Sequence, residues 1–214
     1  MNSAPASQHA YAGGEQTISS YKSGDKISFN AEYRGGGYDG EGNFRVNSSA
    51  GTLVVQNATD KVIDLANGAG NSFVKAYAAS KSGIIDGREL TGYQIINGSA
   101  GADVISAGNG GSQLWGGAEA DVLVGGAGVD TFITGKTQGA DLISNAATAD
   151  NVNLNDSTLS DIVATSESNG MISITFNTGN VVNVQSSEPL SARFILADGS
   201  AYRYNHARKS WQTA

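Results

Sequence analysis

Ile105, Leu114, Leu123 and Phe132 recur at nine-residue intervals, and glycines and acidic or polar residues stand at fixed offsets before each of them. The nine residues divide into a six-residue turn and a three-residue strand, which make half a circuit. The next nine return along the opposite face. In so short a strand only the central large residue points inward, so these four side chains stack as one internal column. Aligned on them, the repeats read GSAGADVIS (98–106), AGNGGSQLW (107–115), GGAEADVLV (116–124) and GGAGVDTFI (125–133). Glycines at the first, second and fourth positions permit backbone angles that a side chain forbids, and they let carbonyls come close together.

The sixth residues are Asp103, Ser112, Asp121 and Asp130. Because successive turns lie on opposite sides, residues two repeats apart face one another. Asp103 lies above Asp121 on one side, and Ser112 above Asp130 on the other. Carboxylates so placed repel, and a hard cation among carbonyl oxygens resolves the repulsion. Calcium suits such a site because it accepts many oxygen ligands in flexible geometry, whereas magnesium demands a tighter octahedron. Transition metals would recruit imidazole or thiolate. The chain has no cysteine, and its two histidines, His9 and His206, lie far from the repeats.

This arrangement resembles the repeats-in-toxin (hemolysin-type) calcium-binding family, whose consensus is GGxGxDx followed by a large apolar residue. GGAGVDTFI matches in full, and GGAEADVLV departs only at Glu119. GSAGADVIS departs at Ser99, and AGNGGSQLW at Ala107 and Ser112. The pattern extends more loosely to about residue 154 through GKTQGADLI (135–143) and ATADNVNL (147–154), which add Asp141 and Asp150. The resemblance implies an all-β parallel β-roll or β-solenoid with flanking strands and a C-terminal β cap. It implies calcium bound between the turns of alternate repeats, with Asp103, Asp121, Asp130, Asp141 and Asp150 and the turn glycines Gly101, Gly117, Gly126 and Gly128 as the site residues. Asp103 with Asp121 is the leading pair, followed by Asp121 with Asp141 and Asp130 with Asp150. It implies further a secreted bacterial protein that leaves the cell by type I secretion, and residues 151–214, ending in a hairpin of the form FxLADGSxYxYN, resemble the C-terminal region of large bacterial surface or adhesin-like proteins. Ser112 offers a neutral oxygen and weakens the site it shares with Asp130. Glu119 either adds a ligand or blocks the approach that glycine allows. The alternative is a degenerate roll held without metal by stacking and by Asn, Ser and Asp turn bonds.

Outside the repeats the chain reads as short β segments: KISF (26–29), NFRV (43–46), TLVVQ (52–56), KVIDL (61–65), SFVKAYA (72–78), MISITFN (171–177) and NVVNVQ (180–185). RGGGYDGEG (34–42) is expected to be loop. Val54, Ile63 and Phe73 are spaced as if repeat-like stacking begins early, with a sandwich of antiparallel strands as the alternative for this half. ARFILADGSAYRYN (192–205) reads as a hairpin about Asp198-Gly199. The expected division is a flexible segment over 1–20, a β-rich part over 21–97, the nonapeptide roll over 98–154 and a C-terminal β cap over 155–214.

Twenty acidic against thirteen basic residues give a net charge of −7, and with no basic tract this argues against nucleic acid. No apolar run is long enough to span a membrane, and the first residues, MNSAPASQHAYA, lack the pattern of a standard signal peptide. No GxSxG elbow occurs and neither histidine stands near a plausible nucleophile, so an enzyme is not expected, a hydrolase being the remote alternative. The expected partners are calcium ions and a host or cell-surface protein or carbohydrate. Tyr202, Tyr204 and Trp211 either cap the open end of the stack or form a recognition surface, in which case the roll is a metal-free scaffold. His206 is expected at the surface, and Trp115 as an exposed or half-buried shelf.

Overall fold

Short strands between glycine and asparagine turns cannot bury an apolar face alone, so they must pair edge to edge and pack face to face. The computed structural model describes residues 6–39, 41–58, 61–67, 72–79, 82–88, 90–186 and 191–214, and it is almost entirely β. In the N-terminal part the strands are β1 (Gln8–Tyr11), β2 (Gln16–Ile18), β3 (Lys26–Phe29), β4 (Tyr33–Tyr38), β5 (Phe44–Ser48), β6 (Gly51–Val55), β7 (Val62–Asn67), β8 (Ser72–Ala79) and β9 (Ser82–Asp86). Two antiparallel meanders, β4-β5-β6 and β7-β8-β9, are set among parallel pairs such as β1 with β3 and β2 with β6. This half therefore mixes parallel and antiparallel pairing.

Three expectations for this half are corrected. Residues 8–11 and 16–18 are not loose: they form β1 and β2, and Tyr11 is wholly buried, its ring stacked on Phe29 at 4.9 Å between centroids. The tract Arg34–Tyr38 is not loop but most of β4, which pairs with β5 and β10 (Gln94–Asn97). Glycine is what makes this strand possible. Gly35 has φ +143°, and a side chain there would strike the Ile95 carbonyl of β10. A glycine run that reads as a turn can equally be a strand pressed against another backbone. Finally, the inward residues of β6 are Leu53 and Val55, with Val54 between them facing outward; the side chain of Phe73 lies outside the described residues.

Through the repeats the strands are β11 (Val104–Ser106), β12 (Ser112–Trp115), β13 (Val122–Val124), β14 (Asp130–Thr134), β15 (Leu142–Ala146) and β16 (Asn151–Leu154). Odd-numbered strands fall in one sheet and even-numbered strands in the other. Val104 pairs with Val122 and Ser112 with Asp130, all in parallel and eighteen residues apart. From β13 to β15 and from β14 to β16 the step becomes twenty residues, and the register of the inward residues survives. Ile105, Leu114, Leu123, Phe132, Ile143 and Val152 are all wholly buried and belong to one apolar cluster.

The C-terminal strands are β17 (Ile162–Ser168), β18 (Met171–Phe176), β19 (Val181–Ser186), β20 (Arg193–Leu196), β21 (Ala201–Asn205) and β22 (Ser210–Thr213). The first sheet runs β1-β3-β7-β8-β9-β11-β13-β15-β19-β18-β17, and the second β2-β6-β5-β4-β10-β12-β14-β16-β20-β21-β22. β20 and β21 are antiparallel across the Asp198-Gly199 turn, as the sequence leads one to expect. Trp211 packs edge-on against Phe194 and Tyr204 and donates from Nε1 to Thr165 Oγ1 at 3.1 Å, tying the last strand of one sheet to the last of the other. Tyr204 is buried, and Tyr202 and Trp211 lie against the core, so these aromatics do not present an open platform. His206 is not a free surface residue either: its Nδ1 lies 3.1 Å from Glu167 Oε1.

Candidate metal centre

Each strand of the repeats is entered through a turn that ends on the sixth-position residue. Turns 98–103, 116–121 and 135–141 lead into the first sheet, and turns 107–112, 125–130 and 147–150 into the second. The turns entering one sheet stack directly over one another, because parallel pairing puts Asp103 beside Asp121 and Ser112 beside Asp130. The amide of Asp103 donates to Asp121 Oδ1 at 2.7 Å, and that of Asp121 to Asp141 Oδ1 at 3.0 Å. On the opposite edge the Ser112 hydroxyl donates to Asp130 Oδ1 at 2.7 Å, and the Asp130 amide to Asp150 Oδ1 at 2.9 Å. All the facing pairs anticipated from the spacing are thus brought together.

The second oxygen of most of these carboxylates accepts from the turn that leads to it, and that of Asp141 from the strand before its turn. Asp103 Oδ2 accepts from the Ser99 amide at 2.5 Å and its hydroxyl at 2.9 Å. Asp130 Oδ2 accepts from the Gly126 amide at 2.8 Å, Asp150 Oδ2 from the Ala147 amide at 2.7 Å, and Asp141 Oδ2 from the Thr134 hydroxyl. Asp121 breaks the pattern. Its Oδ2 is buried and has no hydrogen-bond partner, and it lies so close to Gly116 that any side chain there would overlap it. Asp103 Oδ1 is also buried without a hydrogen bond of normal geometry, and the Gly83 amide, in the layer on the side away from Asp121, helps to lower the Asp103 pKa.

Burial sets the electrostatics. All five carboxylates are almost wholly enclosed, and desolvation pushes each pKa above the ordinary value. Hydrogen bonds pull them partly back. Asp121 is displaced most, to about 7: burial dominates, the Asp103 amide opposes it, and the charges of Asp141, Asp103 and Glu119 add to it. A buried carboxylate with an unused oxygen, between two others in the same column, favours a proton or a hard cation.

The turn backbone explains how such a site can form. Gly117 has φ +111°, and a side chain there would collide with the Ser99 carbonyl one layer away, so the turns stack at a separation only glycine allows. Glu119 takes φ +66° where the repeat consensus has glycine, leaving its side chain exposed. Gly101 places its amide 3.3 Å from the Ser99 hydroxyl. Gly126 serves as an amide donor to Asp130, and Gly128 packs closely over Gly111. Trp115 is 40% exposed, a shelf as expected, with Nε1 donating to Gln138 Oε1 at 2.6 Å.

Several participants are not evident from the repeat pattern. Thr134 satisfies Asp141. Asn145 Nδ2 donates to the Gly125 and Gly126 carbonyls at 2.9 and 3.2 Å, and Asn180 Nδ2 to the Gly135 carbonyl at 3.0 Å and to that of Gly139. Asp25 repeats the carboxylate device far from the repeats, accepting from the Ser7 amide eighteen residues earlier at 2.6 Å and from the Lys22 amide at 2.9 Å. Its trace in the sequence is slight: a glycine before it and a buried Ile27 two residues after.

Among the described residues no group of three or more His, Cys, Asp or Glu side chains gathers as a metal-binding cluster. Any ion here must therefore draw on backbone carbonyls as well as carboxylates, a donor set of hard oxygens that fits calcium and offers nothing to a thiophilic metal. No helix is long and apolar enough to cross a membrane. Residues 97–132 match the family model of the RTX calcium-binding nonapeptide repeat, in four copies. That family is structural rather than catalytic, and its match spans 36 of the 214 residues. No curated protein matches the chain significantly.

Proposed function

We propose that the chain is a calcium-binding structural or adhesive module of a secreted bacterial protein, in which metal stabilises a parallel β-roll flanked by further strands and closed by a C-terminal β cap. The observation that carries this reading is the buried, partnerless Asp121 Oδ2 in a column with Asp103 and Asp141, inside the segment that matches the calcium-binding repeat. Asp103 and Asp121 are the leading ligands, with Asp130, Asp141 and Asp150 and the glycines Gly101, Gly117, Gly126 and Gly128 completing the set of site residues. When bound, calcium supplies the positive charge that these turns otherwise lack. The chain's own part is to hold the carboxylates in register, exclude water from them and bring the carbonyls near.

In this reading the segments 21–97, 98–154 and 155–214 are an N-terminal β part, the roll and the cap. The protein acts outside the bacterial cell after type I export, and its macromolecular partner is a host or cell-surface protein or carbohydrate. The second reading, a binding domain built on Tyr202, Tyr204 and Trp211, is disfavoured because those rings pack inward. Calorimetry of calcium binding to chelator-treated protein, with circular dichroism alongside, tests the proposal. Heat of binding and a gain of β structure or stability are expected. Unchanged folding and no heat at millimolar calcium would remove the metal and leave only a scaffold.

A further inference from the structure

The two sheets turn different chemistry outward. In β12, β14 and β16 the outward residues form two columns across the second sheet, Gln113, Thr131 and Asn151 in one and Trp115, Ile133 and Asn153 in the other. Asn97 of β10 continues the second column on the far side of Trp115. None of these residues is charged, in a chain of net charge −7. Along the columns charge returns with Arg193 of β20, beside Asn151, and with Arg45 of β5, beyond Gly37. The matching column on the first sheet, Val104, Val122 and Leu142, is aliphatic instead.

Trp115 is held in place as well as exposed. Its indole N–H is spent on Gln138 Oε1, and Gln138 Nε2 donates in turn to Asn155 Oδ1. The ring is thus fixed from its edge, while 40% of the residue stays open. What it has left for a ligand is an apolar face, which Ile133 continues on the next strand. Around this strip the amides are unspent. Asn43, Asn145, Asn177 and Asn180 use their side chains on the fold. Those of Asn97, Gln113, Asn151 and Asn153 bond to no other group among the described residues, and each offers both donors and an acceptor.

A short apolar strip bordered by uncharged donors and acceptors is complementary to a sugar chain. A pyranose presents C–H groups on its faces and hydroxyls around its rim, and equatorial β-1,4 linkages extend such rings into a flat ribbon. Strands about 4.8 Å apart space the columns close to the advance of one ring. The strip is far smaller than an ordinary protein–protein interface, which disfavours a protein occupant. We infer that this outer face, centred on Trp115, binds a neutral β-1,4-linked polysaccharide running across the strands. One ring stacks on the indole, the next lies over Ile133, and Asn97, Gln113, Asn151 and Asn153 take the hydroxyls. The inference rests on the adhesive part of the reading above and gives it a ligand class.

Native electrophoresis of the whole chain at saturating calcium, through gels containing hydroxyethyl cellulose, galactomannan or xyloglucan, tests it, with alginate as the charged counterpart. At least one neutral polymer should retard the wild type, and alginate should not. Trp115→Ala should weaken the apparent affinity about tenfold. Ile84→Thr, which removes an exposed apolar side chain from the first sheet, should leave it unchanged. Without any variant, the retarding polymer should shield Trp115 from iodide quenching, Trp211 being packed against Phe194 and Tyr204. Retardation by none of the neutral polymers, stronger retardation by alginate, or no shielding of Trp115 overturns the inference. So does retardation that survives Trp115→Ala or is lost equally in Ile84→Thr. Calcium calorimetry on the same protein keeps the two readings apart. Calcium heat without polysaccharide binding removes this inference and leaves the metal, and polysaccharide binding without calcium heat does the reverse.

Discussion

Asp25 and Asp121 stand at the same place relative to their strands, each two residues before a wholly buried apolar side chain, Ile27 or Leu123. Each also accepts an amide from eighteen residues earlier in the chain. Their electrostatic states nevertheless differ in sign. Asp25 has donors on both oxygens: the Ser7 amide on one, and the Lys22 amide together with His9 Nε2, at 3.3 Å, on the other. The Ser7 bond leads in holding its pKa below the ordinary value. Asp121 has donors on one oxygen only and other carboxylates above and below it, and burial lifts it to about 7. The backbone device is shared; what differs is the number of donors each turn turns inward. A carboxylate served on both oxygens needs no cation, and one left half-served favours a proton or a cation.

If the apolar column is what the two regions have in common, it should fail equally in both. Leu123→Ala and Ile27→Ala are each expected to cost about 2–5 kcal/mol, since both side chains are fully buried and the layers above and below hold any cavity open. Denaturant unfolding at saturating calcium measures both. A cost below about 1 kcal/mol at either position would show that the column is not continuous from one region to the other.

The carboxylates should then separate the regions by pH. In metal-free protein, Asp121 binds its proton more tightly folded than unfolded, so its contribution to stability is greatest below the unfolded carboxylate range and is lost as pH rises from about 4 to about 7. The upward shift sets a ceiling of about 4 kcal/mol on that loss, with some relief from water reaching the turn. Asp25, held low, behaves in the opposite way: its contribution is present above the unfolded pKa and disappears as pH falls through its own lower value. Chelated protein should accordingly melt higher near pH 5 than near pH 8. Asp121→Asn should flatten that slope, and so should calcium, which replaces the proton. A chelated protein whose stability rises steadily over this range would contradict the assignment.

The sequence revealed the column and the facing pairs because both follow from a period, and a period survives substitution. Ile105, Leu114, Leu123 and Phe132 can be placed without knowing their neighbours, and so can Asp103 over Asp121. The repeat near the N-terminus was not legible, because one aspartate before Ile27 is indistinguishable from any turn aspartate until the eighteen-residue pairing of β1 with β3 is known. The strand over Arg34–Tyr38 was hidden for a related reason. Glycine marks both turns and close backbone contacts, and only the position of Ile95 and Asn97 across from it decides between them. Asn145 and Asn180 act through side chains that reach a different layer, so no local pattern announces them.

Asp25→Asn tests whether a fully served carboxylate is structural. The substitution turns an NH2 group toward one of the two amides that Asp25 accepts from, leaving a buried donor facing a donor, and is expected to cost about 1–3 kcal/mol. The cost should be the same with calcium and with chelator, as read from paired denaturation curves. Calcium dependence of that cost would mean that Asp25 is part of the metal system after all, and the contrast with Asp121 would collapse.

The smallest effect concerns the one residue that makes the Asp121 turn unlike its neighbours. Glu119 pays twice for standing where the consensus has glycine: it holds a left-handed backbone conformation, and its charge adds to the repulsion that raises Asp121. A non-glycine residue in that conformation costs roughly 1–2 kcal/mol, and glycine returns up to about 1 kcal/mol of this through its greater freedom in the unfolded chain. Glu119→Gly should therefore stabilise the metal-free protein by about 0.5–1 kcal/mol, with a gain that is larger at pH 8 than at pH 5 because only the ionised Asp121 feels the lost charge. Thermal melts of the chelated variant at the two pH values separate the contributions. A gain equal at both would assign the whole effect to the backbone, and a loss at either would mean that the Glu119 carboxylate supports the turn rather than straining it.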